Sequence, residues 1–186
     1  MISKWDFLAT LIMSNKFTTF CEIGVSKAAT TLGIYALLDS YGYQLFCYYG
    51  IDPYKDTYYS IEPKQLGMLR ARSNFKFLIL NSDEAIKYIN PPIDMVFIDG
   101  SHDLAQVRDD INNYSQIIRD GGIISGHDYN DSGVGWKSTV DFILKIEPNV
   151  VQDKRDENGK PNFMWWAYVY HIDGKIIYTK EKLNGN

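Results

Sequence analysis

Apolar positions along the chain recur with two periods, and the switches between them mark out the elements. Residues 4–13 place Trp5, Leu8, Leu11 and Ile12 at helical spacing, which predicts a leading amphipathic helix. Phe17 to Ile23 is a short β-prone run that ends in Glu22-Ile23-Gly24, and residues 28–38 return to helical spacing with Leu32, Tyr35 and Leu38 on one stripe. A second strand is predicted from Tyr43 to Ile51, stopped by Asp52-Pro53 because proline holds the preceding residue extended. A helix over 60–72, a strand over Phe75 to Leu80 and a helix over 83–89 with Ser82 as its N-cap come next. Met95 to Ile98 reads as the fourth strand. Leu104, Val107, Ile111, Tyr114 and Ile118 form the stripe of the next helix, which Asp120-Gly121-Gly122 is expected to break. Ile123 to Ser125 opens a fifth strand that runs up to His127. Beyond it lie a helix from Trp136 to Ile146, a short strand Val150 to Gln152, and a polar loop Asp156 to Asn162. The long alternating run Phe163 to Ile172 is turned by Asp173-Gly174 into Lys175 to Thr179 as a hairpin.

Five β-α units followed by antiparallel strands imply an α/β fold, with a mostly parallel sheet and helices on both faces. The chain reads as a single domain over 1–186: a leading helix at 1–16, β-α units at 17–148 and antiparallel strands at 149–186. Right-handed crossovers then bring the C-terminal ends of the five strands to one edge. That edge carries Glu22 and Gly24, Asp52, Asn81 and Ser82, Asp99, and His127 with Asp128. Open α/β sheets bind ligands at this edge, and a polar group at each of five successive strand ends points to a shared pocket.

Composition narrows the partners. A length of 186 residues suits one domain with a substantial core. A net charge of −4 argues against broad contact with nucleic acid phosphates, so no nucleic acid partner is expected. No apolar run reaches the roughly 20 residues of a membrane helix, and the N-terminus lacks the pattern of a signal peptide. No membrane association is expected, and the location is expected to be cytoplasmic. Cys21 and Cys47 sit in strand-like runs and are expected to be reduced, buried and inert. Aromatic residues make up 15% of the chain, and several fall in predicted loops, where they pack edges or offer a stacking surface to a ring-shaped ligand.

The first turn, E-I-G-V-S-K-A-A-T-T, has Gly24 alone where a dinucleotide fold wants three glycines in G-x-G-x-x-G. That disfavours a nicotinamide-dependent sugar-modifying enzyme, while Gly24 can still admit a ligand that has no pyrophosphate, or merely make a tight turn. Asp52 suits the two vicinal hydroxyls of a ribose, or else caps the Pro53 turn; beside Gly24 the ribose role is favoured.

These motifs carry a resemblance. E-I-G at 22–24 with T-T at 30–31, G-I-D-P-Y at 50–54, N-S-D-E-A at 81–85, F-I-D-G-S-H-D at 97–103 and G-G-I-I-S-G-H-D-Y at 121–129 resemble class I S-adenosylmethionine-dependent methyltransferases. Roughly residues 17–145 take part, and the chain is most similar to the small-molecule O-methyltransferase branch with I-D-G-x-H and H-D-Y signatures, of the macrocin and catechol types. The resemblance implies a three-layer αβα Rossmann-like fold with a C-terminal antiparallel hairpin. It implies S-adenosylmethionine as cofactor, lying between Gly24 and Asp99. Glu22 and Gly24 would flank its methionine part, Asp52 would hold the ribose, and Ser82 and Asp83 would lie by the adenine. Asp99, His127 and Asp128 fall where metal-dependent members hold a divalent ion, and His102 where the catechol type has its general base. Ala28 stands where the family usually has glycine, and an added methyl there is expected to crowd the cofactor's carboxylate end.

The chemistry agrees with this outline. Methyl transfer from a sulfonium needs an aligned oxygen nucleophile and help in removing its proton. A divalent ion lowers the pKa of a bound hydroxyl. Two carboxylates with one imidazole nitrogen suit Mn²⁺, Fe²⁺ or Zn²⁺ better than Mg²⁺. Operation without metal, with His102 or His127 as base, is the other route. His171 is expected to be satisfied by backbone partners, Asp103 to N-cap its helix, and Arg108, Asp109 and Asp110 to form a solvated face. Acceptor-side candidates are loops 53–60, 129–136 and 153–166, with Tyr54, Tyr58, Tyr59, Tyr129, Trp136, Trp165 and Trp166. The acceptor is expected to be a small molecule with a hydroxyl, such as a sugar. Little chain is left for a lid, so the pocket is expected to be open or completed by a second subunit in a homodimer. A domain of the same fold that has lost cofactor binding is the rival reading.

Overall fold

Helix α1 (Lys4–Ser14) begins at Ser3, whose hydroxyl oxygen accepts a hydrogen bond from the Asp6 amide. The computed structural model describes residues 2–54, 63–101, 103–129, 137–153 and 161–183. Five strands come after α1: β1 (Thr19–Ile23), β2 (Cys47–Ile51), β3 (Phe75–Leu78), β4 (Ile93–Ile98) and β5 (Ile118–Gly126). Among them run α2 (Ala29–Ser40), α3 (Pro63–Arg70), the single turn α4 (Ser82–Ala85) and α5 (Leu104–Ser115). The chain then forms α6 (Lys137–Leu144), β6 (Asn149–Gln152), β7 (Phe163–Ile172) and β8 (Lys175–Thr179). The eight strands among the described residues join one sheet in the order β3-β2-β1-β4-β5-β7-β6, with β8 also paired to β7. The first five are parallel, and β7 enters antiparallel between β5 and β6. Two reversals restore the direction, so β6 runs parallel to β1–β5.

Strand alternation divides the core between two faces. Cys21, Ile23, Val96 and Ile98 pack with Val107, Ile111 and Tyr114 of α5. Phe20, Met95 and Phe97 pack with Leu8, Ile12, Ile34 and Leu38 of α1 and α2. Every residue of β4 is buried, as expected of a central parallel strand covered on both sides. Cys21 and Cys47 are both free and buried, as the sequence suggested. No helix among the described residues is long and apolar enough to cross a membrane.

Two expectations are corrected. The stripe ending at Ile118 is expected from its spacing to stay helical and to be broken by Asp120-Gly121-Gly122. Instead α5 ends at Ser115, and β5 already runs from Ile118 through those glycines with a register shift opposite Ile93–Met95. Arg119 pairs with Asp94 on the neighbouring strand, and a Cβ at Gly122 would lie 2.6 Å from the Asp94 carbonyl oxygen. These contacts tie the irregular stretch to β4 as a bulge, so local turn propensity loses to pairing. The second correction concerns Ser82, which is the first residue of α4 and not its cap; Asn81 holds the cap position. The Ser82 hydroxyl donates instead to Asp110 at 2.5 Å.

Gly24 closes β1 at φ +93°, and a Cβ there would sit 2.1 Å from the Asp99 carbonyl oxygen. Left-handed strain and backbone overlap then add, so Gly24→Ala should cost about 3 kcal/mol. Gly42 isolates the strain, because at φ +64° a Cβ added to it would meet nothing within 4 Å, and Gly42→Ala should cost about 1 kcal/mol. Urea midpoints of the two variants give the comparison; equal losses would contradict the close approach of Gly24 to Asp99.

Candidate active site at the strand ends

The parallel ladder continues one residue beyond β1, β2, β4 and β5. The Asp52 amide donates to the Leu78 carbonyl at 3.1 Å and the Gly24 amide to the Ile51 carbonyl at 2.9 Å. The Asp99 amide donates to the Ile23 carbonyl at 2.8 Å and the His127 amide to the Ile98 carbonyl at 3.1 Å. Each backbone is thus held by the neighbouring strand, so the side chains of Asp52, Asp99 and His127 start from fixed points.

A cavity of about 780 Å³ opens over these ends. Its wall includes Gly24, Asp52, Ser82 and Asp99, together with Lys4, Gln106 and Asp110. Asp52 accepts from the Ser26 amide at 2.8 Å and the Tyr54 amide at 2.9 Å, one on each oxygen. It therefore caps its turns and lines the cavity at once. A carboxylate has about four acceptor sites, so two amides leave room for ligand hydroxyls. Also in the wall, Asp110 accepts from Ser82 at 2.5 Å and from Gln106 at 3.0 Å. Burial pushes its carboxyl up to about 6, against the lowering effect of those two bonds.

Beside the cavity lies a charged cluster. Asp99 Oδ2 receives Lys4 Nζ at 2.7 Å, and Asp99 Oδ1 lies 3.5 Å from His127 Nδ1. The same nitrogen is 3.1 Å from Asp128 Oδ1, and His127 Nε2 is 3.2 Å from Asp153 Oδ2. Burial alone would lower the imidazole, but hydrogen bonds to Asp128, Asp153 and Asp99 outweigh it and raise it to about 10. Lys4 is likewise opposed by burial and held above its ordinary value by Asp99. Asp128 adopts φ +57°, and its Oδ1 also accepts from Asn162 at 2.8 Å.

One donor atom each from Asp99, His127 and Asp128 falls within 4.8 Å of the others. Two oxygens and an imidazole nitrogen suit a borderline divalent ion. The Asp153 contact to Nε2 is of the carboxylate–histidine kind that would orient the imidazole if Nδ1 were to bind an ion.

The structure brings Gly24, Asp52, Ser82 and Asp99 into one wall, with His127 and Asp128 joined to it through Asp99. It does not bring Glu22 or Asp83 there. Glu22 is fully buried below the cavity, accepting from Thr31 and Tyr48 hydroxyls at 2.6 Å each. Its Oε1 finds no hydrogen-bond partner among the described residues, and burial raises the carboxyl to about 7. Asp83 is exposed on α4, outside the wall. His102 lies outside the described residues, as do Tyr58, Tyr59 and Trp136. Ala28 is fully buried in the apolar cluster beneath α2 and is no part of the wall, so its methyl does not crowd the cavity as expected. Trp165 and Trp166 sit on β7 and not in a loop. Trp165 is fully buried over Gly126, and Trp166 packs on Phe7 with ring centroids 4.9 Å apart. Tyr54 does line the cavity, and Tyr129 is buried against Asp141 and Lys137. Asp103 caps α5 by accepting from the Ala105 and Gln106 amides, and His171 bonds Asp120 and the Ser115 carbonyl on the far side of the sheet.

Sequence reasoning misses Lys4, Gln106, Asp110 and Asp153. Asp110 has a legible signal: it falls between Val107 and Ile111 at helical spacing with Tyr114, on the apolar stripe and not on the solvated face. Asp153 comes directly after β6, and since β6 is parallel to β5 it is a further member of the same strand-end series. Nothing in the sequence tells which strand end Lys4 reaches.

A family model described as "Methyltransferase domain" matches residues 21–129, more than half of the chain. No curated protein matches it. Among solved structures, the O-methyltransferase TomG from Streptomyces achromogenes, in complex with SAM, aligns at TM-score 0.66 and 12% identity over 89% of this chain and 80% of that one. The N-methyltransferase NodS from Bradyrhizobium japonicum WM9, in complex with S-adenosyl-l-homocysteine, aligns at TM-score 0.59 and 14% identity over 88% and 87%. An rRNA methylase from Streptococcus thermophilus aligns at TM-score 0.63 and 10% identity over 89% and 96%. Each likeness is one of fold.

The charged cluster has a pH signature. Folded His127 keeps its proton up to about pH 10, whereas an ordinary imidazole releases it near 6.5. Its folded value is raised, so the stability it contributes is complete below about pH 6.5 and drains away as pH climbs toward 10. With chelator present, the thermal midpoint of the native protein should fall across that window, and His127→Gln should flatten the fall. A flat native profile contradicts an imidazolium at this position.

Proposed function

The chain belongs to the methyltransferase-domain family and is an S-adenosylmethionine-dependent methyltransferase of the class I fold, and from that premise we propose that it methylates a hydroxyl of a small molecule, such as a sugar. The observation that carries the reading is the convergence of Gly24, Asp52, Ser82 and Asp99 on one cavity beside the Asp99–His127–Asp128 cluster. When bound, the cofactor supplies a sulfonium-borne methyl group. Asp52 accepts the ribose hydroxyls on the lone pairs left by the Ser26 and Tyr54 amides. Ser82, Gln106 and Asp110 bound the side assigned to the adenine. Bare Gly24 lets the chain of the ligand pass close to the β1 backbone.

The acceptor oxygen must lose its proton as the bond to carbon forms. His127 is a poor general base here, because its Nδ1 proton is held by Asp99 and Asp128. The base is assigned to His102, which comes after Ser101 of the cavity wall and precedes the α5 cap Asp103. Asp99, His127 and Asp128 would hold a divalent ion, with Asp153 fixing the imidazole; a bound ion lowers the pKa of a hydroxyl placed on it. The acidic net charge of −4 favours a small acceptor over nucleic acid, although an rRNA methylase shares the fold.

Calorimetry with S-adenosylhomocysteine tests the cofactor, and absence of binding at millimolar ligand ends the reading. His102→Ala should lower kcat by about 10²-fold or more and leave the affinity for S-adenosylhomocysteine unchanged; equal turnover removes His102 from the mechanism. For the ion, titration of Mn²⁺ into cofactor-free protein should release about one proton per site, because the ion takes the Nδ1 position. Heats in buffers of different ionisation enthalpy measure that proton, and binding without release argues against His127 as a ligand.

A further inference from the structure

The charged cluster is tied together by a residue that stands beyond the matched stretch 21–129. Asn162 lies directly before β7. Its side-chain Nδ2 donates to Asp128 Oδ1 at 2.8 Å, and its Oδ1 accepts from the Phe163 amide at 2.9 Å. Its backbone carbonyl accepts from the Asp153 amide at 2.9 Å, while the Phe163 carbonyl next to it accepts from the Tyr129 amide at 3.1 Å. The end of β5, the end of β6 and the start of β7 are thereby closed into one joint. The first two of these segments carry the carboxylates on either side of the imidazole. Asp128 lies 3.1 Å from His127 Nδ1 and Asp153 lies 3.2 Å from Nε2.

The polarity of the Asn162 amide is dictated by its surroundings. The Phe163 N–H can be met only by an acceptor, which fixes the side-chain oxygen and leaves the NH₂ end for Asp128. A carboxylate is the group that such a donor suits. Asp128 also needs outside support, because it stands at φ +57°, in the left-handed region that residues with a side chain keep only where their surroundings hold them. Its own strand β5 has already ended at Gly126. The aim of the Asp128 carboxylate therefore depends on bonds from another part of the chain.

We propose that Asn162 is a positioning residue for the ion-binding cluster, its side-chain amide fixing the Asp128 carboxylate beside His127 while its backbone carbonyl fixes Asp153. The assignment rests on the divalent-ion reading above. A residue that hydrogen-bonds a ligating carboxylate controls affinity for the ion without touching it, because the carboxylate need not be ordered at the moment of binding. Asn162 is not part of the cavity wall, so its influence falls on the cluster and leaves the cofactor cavity alone.

Two variants separate the arm to Asp128 from the local turn. Asn162→Ser keeps a hydroxyl that can accept from the Phe163 amide but ends one bond short of Asp128. Asn162→Ala removes both bonds. Calorimetric titration of Mn²⁺ should show both variants weakened alike, by about 10- to 100-fold, with the affinity for S-adenosylhomocysteine changed less than about twofold. A loss confined to Asn162→Ala assigns the effect to the turn and overturns the proposal, as does a Mn²⁺ affinity unchanged in Asn162→Ser. Parallel weakening of S-adenosylhomocysteine marks a general distortion and also overturns it. In each of these cases Mn²⁺ uptake by the native protein leaves the ion reading standing. Native protein that takes up no Mn²⁺ at millimolar concentration overturns both.

Discussion

The interaction on which the site depends is a backbone hydrogen bond repeated across the parallel sheet. At four strand boundaries the residue just past one strand donates its amide to the last carbonyl, or nearly the last, of the next. Leu78 holds Asp52, Ile51 holds Gly24, Ile23 holds Asp99 and Ile98 holds His127. A parallel ladder offers evenly spaced, slanted bonds, so its final rung can fix a residue that is already leaving the sheet. The side chain at that residue is then free of the pleat while its backbone is as fixed as the core. Functional loops are commonly mobile; here the critical residues belong to the rigid element, and the loops begin only after them.

Rigidity has an electrostatic cost, since it gathers acids in a confined space. Asp99, Asp128 and Asp153 surround one imidazole, and Asp52 and Asp110 lie in the cavity wall. Like charges this close raise one another's energy unless cations or hydrogen bonds divide them. Among the described residues, Lys4 from α1 and His127 from within the cluster bring positive charge to it. Removing one member of a buried pair leaves the other uncompensated, at a cost of about 3–5 kcal/mol, so the cluster resists piecemeal change. Asp52 is managed differently. The amides of Ser26 and Tyr54 donate to it, one to each oxygen, and stabilise its charge by hydrogen bonding.

Much of this is legible in the sequence alone. The order and type of the elements come from apolar spacing, and β7 and β8 are bounded residue for residue by their alternation and the Asp173-Gly174 turn. Strand ends are legible because a polar residue closing an apolar run changes the pattern abruptly, as at Asp52, Asp99 and His127. The hidden features are those set by long-range contact. The Asp94–Arg119 pair extends β5 back through two glycines that locally read as a helix breaker. Glu22 reads as a cavity residue because it stands two positions before Gly24, but the two-residue strand period shows only which face it joins. Whether that face holds ligand or hydroxyls such as Thr31 and Tyr48 depends on a helix and a strand packed from elsewhere, α2 and β2. Lys4 is hidden for the same reason: α1 is predictable as a helix, but not where its first turn docks.

The insertion of β7 explains why the cluster is richer than the five parallel strands alone could make it. An antiparallel strand next to β5 reverses direction, and a second reversal returns β6 to the direction of the rest. The loop entering β7 therefore arrives at the active edge with Asn162, whose amide holds Asp128, while the end of β6 delivers Asp153 to His127. Without β7, neither residue would have a route to that edge. The C-terminal strands are thus part of the site's chemistry as well as of the sheet. The cavity wall, by contrast, comes from the ends of the first four parallel strands and the helices packed on them. On the function proposed above, acceptor choice would rest with the groups around His127 and Asp128, and not with those around Gly24 and Asp52.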